Sequence, residues 1–161
     1  MSDSDQTEGL MLLQSEHITE FNEWRLKNLT VKLSCDGIDF SNRDISNALL
    51  NGLTFINCDF SNSIIKNTNF VQSNMPNSNF TGANLSNAIM MLTDLKNSTL
   101  TKSNLDNTNF MGGDLQRSDL RESYLNKTIF VEANLIDANT TGLDKSKAFL
   151  KFCKLKGTTW E

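Results

Sequence analysis

From Asp36 onward a large apolar side chain returns at every fifth residue: Phe40, Ile45, Leu50, Phe55, Phe60 and on through Phe130 and Leu135. Twenty successive pentads hold this register. Two residues before the large one sits a small one nearly every time, as at Ala48, Cys58, Ser63, Thr68, Ser73 and Ala133. A period of five matches neither a helix at 3.6 residues per turn nor a strand at 2. It predicts a square coil with one pentad per side and four sides per turn. The large residue fills the axis, the small one points inward near a corner where bulk would clash, and the other three positions face solvent. Residues 20 apart then stack on one side, with coils about 4.8 Å apart.

The pattern resembles the pentapeptide-repeat family, whose motif is A-(D/N)-L-x-x. Ala83-Asn84-Leu85 and Ala133-Asn134-Leu135 match it closely, and Ser, Thr or Cys often replaces the Ala. The resemblance covers about residues 31–160. It implies an all-β fold, a right-handed quadrilateral parallel β-helix with a short N-terminal capping helix. The expected organisation is a disordered or loosely packed tail over 1–14, a capping helix and linker over 15–30, and the solenoid over 31–161.

At the N-terminal end, residues 15–27 read as the capping helix, with Ser15 as N-cap and Ile18, Phe21, Trp24 and Leu26 as its apolar face. Asn22-Glu23-Trp24-Arg25 resembles the segment that precedes the coil in many family members. The first coil has an open end, so Phe21 and Trp24 are expected to cover its core. At the other end Trp160 is expected to close the core. Register lapses over 136–145, where Thr140 and Lys145 occupy places for large apolar residues. A bulged corner at Gly142–Lys145 or a short helix over Asp144–Phe152 would account for it.

Composition then narrows the function classes. Hydrophobic residues are 38% of the 161, and Asn, Ser and Thr together make up about a third. Such polarity alone would suit a disordered tract, but two core positions in five need no more apolar content than this. A net charge of −4 disfavours phosphate neutralisation, so direct nucleic-acid binding is not expected. No run of 18 apolar residues spans a membrane, and the acidic start MSDSDQTEGLMLLQ does not read as a signal peptide. Cys35, Cys58 and Cys153 fall on inward positions and suit reduced thiols in a cytoplasm. One histidine, His17, and no CxxC pair give neither a catalytic triad nor a zinc site, so no enzyme activity, cofactor or metal is expected.

The 20-residue stacking turns the sequence into a surface map. Asn47, Asn67, Asn87 and Asn107 share one column and Asn57, Asn77 and Asn97 another, where amide ladders are expected. One face is apolar: Leu49, Val71, Ile89, Met91, Leu92, Met111, Ile129 and Val131 lie outward on it. Such a strip calls for a protein partner, a second copy in a homodimer, or a covering segment such as Leu10–Leu13. Asp39, Asp59, Asp94, Asp114 and Asp119, with Asp137, gather near an acidic edge. Fluoroquinolone-resistance members of the family are thought to imitate DNA and bind gyrase through such an edge. Here Lys96, Lys102, Arg117 and Arg121 interrupt it. Lys147, Lys151, Lys154 and Lys156 make the last segment basic, which guards an edge strand against end-to-end growth. The reading is a non-catalytic protein-interaction or scaffold module, with a gyrase-binding DNA mimic as the alternative.

Overall fold

A computed structural model describes residues 3–161, with side chains from Gln6 onward. Two helices, α1 (Asp3–Gln14) and α2 (Ile18–Lys27), precede a β-helix that occupies the rest of the chain. Parallel bridges join residues 20 apart along its whole length, from Ser34 with Thr54 to Asn134 with Lys154. Each bridge is one residue wide, because the backbone turns after every pentad. Only β1 (Thr128–Ile129) and β2 (Ala148–Phe149), paired in parallel, run for two residues among those described.

From Phe40 to Leu135 the large residue of each pentad is buried, and like residues stack along the axis. Phe40, Phe60 and Phe80 form one pile, with centroids 5.0 and 4.8 Å apart and rings nearly parallel. Phe110 and Phe130 form another at 5.2 Å. Burying one such ring contributes roughly 1.5–3 kcal/mol.

The inward small position is solved by hydrogen bonding. The Ser73 hydroxyl donates to the Leu50 carbonyl at 2.8 Å, Ser78 to Phe55 at 2.7 Å and Thr108 to Leu85 at 2.8 Å. Ser63 and Ser103 use the carbonyl three residues back, at 2.6 and 2.7 Å. A buried hydroxyl that keeps a partner costs little, which is why Ser and Thr replace Ala freely. The thiols do likewise: Cys58 donates to Cys35 C=O and Cys153 to Phe130 C=O. Burial raises the Cys58 thiol to about 11 and pushes Cys35 and Cys153 up as well.

The outward position two after the large residue is left-handed in pentad after pentad, at φ near 60° in Asn57, Asn77, Asn97 and Asn107. Asn tolerates this region better than most residues. Backbone conformation therefore explains the Asn columns more fully than the expected ladders do. Ladder bonds join Asn67 to Asn47 (3.3 Å) and Asn107 to Asn87 (2.8 Å).

The N-terminal end is more built than expected. In place of a disordered or loosely packed tail over 1–14 there is α1, whose Leu13 is fully buried and whose Leu10 and Leu12 pack on the core. Met1 and Ser2 lie outside the described residues. Leu10–Leu13 thus covers the end of the core, with Met11 exposed, and not the apolar face. Gly9 lets the two helices approach: a Cβ there would meet the Trp24 ring at 2.5 Å. Ser15 closes α1, donating to Met11 C=O at 2.7 Å, and does not cap α2, whose N-cap is His17.

α2 stands where half a coil would lie above Asp44–Asn51, and its side chains take over that half coil's backbone bonds. In later coils the N–H groups of Ile64 and Asn69 donate upward to Arg43 and Ala48. Asp44 N–H instead donates to the Glu16 carboxylate (3.1 Å), and Leu49 N–H to the Asn22 amide oxygen (2.8 Å). The Val71 carbonyl accepts from Gly52 above it. The Asn51 carbonyl accepts from Arg25 Nη2 at 3.0 Å. Arg25 is buried, which lowers its pKa, and its other terminal nitrogen donates to the carbonyls of Asn28, Leu29 and Val31. Phe21 and Trp24, 5.9 Å apart, seal the core beneath.

The register lapse is narrower than 136–145. Thr140 is fully buried at the axial position and Gly142 takes the usual left-handed corner. Only the stretch around Lys145 departs, as a 3-10 turn at Lys145–Lys147. The Asp144 carboxylate accepts Ser146 N–H there at 2.9 Å, and no longer helix forms over Asp144–Phe152. Trp160 is buried against Phe130 at 5.9 Å, and its indole N–H donates to Leu143 C=O.

Candidate functional site

The bridges place Leu49, Asn69, Ile89, Asn109, Ile129 and Phe149 in one column. Beside it, on the other side of the buried Leu50–Phe130 row, run Val71, Met91, Met111 and Val131, with Leu92 at the adjoining corner. All eight residues expected on the apolar face therefore share it. Leu49, Val71, Met91, Met111, Ile129 and Val131 are half-buried, Ile89 is 38% exposed and Leu92 54%.

Three apolar residues extend the face beyond the sequence reading. Phe149 pairs with Ile129 and is 55% exposed; Phe152 follows in the same pentad side at 71%. Both could have been found by adding 20 to Ile129 and to Glu132. Leu29, 64% exposed, sits at the opposite end, its carbonyl held by the same Arg25 that holds Asn51. Leu92 occupies a left-handed corner, with φ 56°, the conformation that Asn or Gly most often supplies in this solenoid. Its side chain leans over Gly112, where a Cβ would lie 2.7 Å from Leu92 Cδ2.

The acidic residues fall into two columns. Asp39, Asp59 and Asp119 share one, with Asn79 and Thr99 between; Asp94 and Asp114 lie on the next side. Most are engaged locally. Each carboxylate of Asp39, Asp59, Asp94, Asp114 and Asp119 accepts the N–H two residues on, at 2.8–3.2 Å. Lys96 bridges Asp94 (2.7 Å) and Asp114 (3.5 Å), and the hydrogen bond it donates to Asp94 raises the pKa of that lysine. Arg121 grips Asp119 through two nitrogens and holds its carboxyl below the usual range. The Ser41 hydroxyl and N–H do the same for Asp39.

The two ends carry opposite charge. A shallow cavity of about 440 Å³ between α1 and α2 is lined by Glu8, Glu20 and Glu23 with Lys27. A second, about 230 Å³, lies beside the 3-10 turn and is lined by Lys127, Lys147, Ser146 and Phe149. Among the described residues no group of three or more metal-binding side chains converges, and no helix is long and apolar enough to cross a membrane.

Bridges every twenty residues, one per pentad, define a β-solenoid protein. The chain belongs to the pentapeptide-repeat family: eight copies of the family's repeat model, described as pentapeptide repeats, match over 34–70, 55–90, 78–117, 88–126 and 114–144. Among solved structures it is similar to a trypsin-treated variant of QnrB1, a plasmid-mediated fluoroquinolone resistance protein. That match has 23% identity and a TM-score of 0.61, and covers 79% of this chain and 67% of that one. A pentapeptide repeat protein from the Arabidopsis thaliana thylakoid lumen matches at 23% identity, covering 67% and 68%, with TM-score 0.35. The cyanobacterial protein Rfr23 from Cyanothece 51142 matches at 19%, covering 87% and 93%, with TM-score 0.30. No curated protein sequence is significantly similar to the chain.

Proposed function

We propose that the chain is a non-catalytic interaction module that binds a protein surface through its apolar face. The observation that carries this is the strip of apolar side chains from Leu49 to Phe152 along one face, interrupted in its bridged column by Asn69 and Asn109. Apolar side chains gathered along one face of a surface mark an interaction site more often than scattered ones do. A four-pentad coil supports the square section of the solenoid, and the usual hand of parallel crossovers supports right-handed winding. Buried, raised thiols fit a reducing cytoplasm. A photo-crosslinking residue placed at Met91 should give discrete protein adducts in cells, while one at Thr101, on the polar side, should not. Equal labelling at both, or none at Met91, would refute the reading.

A second reading, a DNA mimic acting on gyrase, rests on the fold likeness to a fluoroquinolone resistance protein. A mimic needs an extended negative field, and here Lys96 pairs with Asp94 and Asp114 and Arg121 with Asp119, which interrupts it. A supercoiling assay decides it: absence of inhibition and of protection from quinolone at micromolar protein removes this reading.

A further inference from the structure

We propose that the occupant of the apolar face is a second copy of this chain, packed face to face with the two solenoids antiparallel. This rests on the reading of that face as a protein-binding surface.

The column order supports it. Read along the axis, the outward column runs Val71, Met91, Met111, Val131, which is the same in both directions. A two-fold axis lying in the interface, across the solenoids and level with the midpoint of Met91 and Met111, sets each column against itself reversed. Val71 then faces Val131 of the second copy, and Met91 faces Met111. The corner column runs Gln72, Leu92, Gly112, Glu132. The same axis sets the projecting Leu92 opposite the side-chain-free Gly112, and the Gln72 amide opposite the Glu132 carboxylate. In the bridged column the same axis sets Leu49 opposite Phe149 but Ile89 opposite Asn109, so the self-complementarity of an isologous interface rests on the Val–Met and corner columns.

Charge selects the direction. Exposed Glu8, Glu20 and Glu23 sit on the helix pair; exposed Lys147, Lys151 and Lys154 sit at the far end. Among the described residues none of them forms an ion pair within the chain. Five coil steps at about 4.8 Å put some 24 Å between the ends, well beyond a Debye length of about 8 Å. The opposite charges therefore do not neutralise each other inside one copy. Antiparallel packing brings each acidic end beside a basic end. Parallel packing would set acid against acid and lysine against lysine. The pair is expected to form over micromolar concentrations and, because opposite charges meet at its ends, to weaken with salt.

The test uses the full chain. Sedimentation equilibrium should show monomer and dimer exchanging over micromolar concentrations. Met91→Asp, with an unchanged melting curve, should raise the midpoint concentration at least tenfold; Val131→Asp serves if that variant melts early. For orientation, Cys153→Ser provides the background, since a serine hydroxyl replaces that thiol at many inward positions. Facing sheets pack about 10 Å apart, too far for a disulfide, so a short bismaleimide is the probe. Val71→Cys with Val131→Cys should give covalent dimer, and Val71→Cys alone should not. Covalent dimer from the single variant means parallel packing and overturns the proposal. So does a chain that stays monomeric at several hundred micromolar. In that case, adducts of another mass from the crosslinker at Met91 leave the interaction reading standing, and absence of any adduct removes both.

Discussion

The two ends of the solenoid face the same difficulty and answer it differently. Each exposes a slice of core and a rim of backbone groups that lack the next coil. At the N-terminal end two helices supply both needs. Phe21 and Trp24 cover the slice, and Glu16, Asn22 and Arg25 stand in for missing N–H and C=O partners. At the other end Trp160 covers the slice, while Glu161 accepts Gly157 N–H at 3.0 Å. Leu150 and Leu155 remain half-buried, and Phe149 and Phe152 exposed. The first end is sealed by side chains imitating a coil; the second is covered by one ring. Cooperativity should therefore run from the N-terminal cap, with the last coil the first to open.

The largest test of this difference is a pair of tryptophan deletions. Trp24→Ala should cost about 3–5 kcal/mol in urea unfolding, the range for removing a buried aromatic, with loss of protection throughout the coils. Trp160→Ala should cost less, and hydrogen exchange should rise only over the last coil. Equal losses would erase the distinction between the ends. Next is Asn22→Ala, which leaves the Leu49 N–H without its acceptor. An orphaned buried donor costs about 1–3 kcal/mol, and the Leu49 amide should exchange faster than those of Asn69 or Ile89 in the same column. Unchanged exchange there would mean that water replaces the amide and the imitation is dispensable.

A smaller effect separates stability from binding. Leu92→Asn relieves a strained corner and should raise stability by about 1 kcal/mol or less, read from the shift in urea midpoint. The same change should weaken association through the apolar face. The smallest effect is acid-driven and local. Asp144, held low by the Ser146 hydroxyl and N–H, contributes stability that is present above the ordinary carboxylate range and lost as pH falls through its lowered value. Exchange at Ser146 should accordingly rise only below about pH 4, and the Leu49 amide should not follow it.

Five-residue spacing made the coil, its buried rows and the Trp160 lid legible without any structure, and the capping-helix pattern did the same for Trp24. Each of those follows from side chains that must avoid water. What escaped notice was governed by backbone. The left-handed corner explains Asn77 and Asn97, which look like ladder rungs in sequence because they recur every 20 residues, yet no bond between them is needed. The aspartates read as one edge because they are close in number, but residues 114 and 119 lie on successive sides. α1 escaped because the acidic start of the chain looks like a tail, and its burial depends on Gly9 meeting a tryptophan from another helix. Asn22 and Arg25 were visible as a motif, while their role as surrogate backbone needed the geometry. The apolar face was legible in its centre, and its extension to Phe149 and Phe152 was hidden by the lapse at Lys145.

The twenty-residue coil also dictates how such a molecule can change length over evolution. An insertion or deletion of any number other than a multiple of five throws inward side chains outward and should be eliminated. Five added residues preserve the core but turn everything downstream by one side, so Ile129 and Val131 would no longer line up under Ile89 and Met91. Twenty preserve both core and alignment. Growth in whole coils is thus silent to the surface, whereas growth by a single pentad re-deals it.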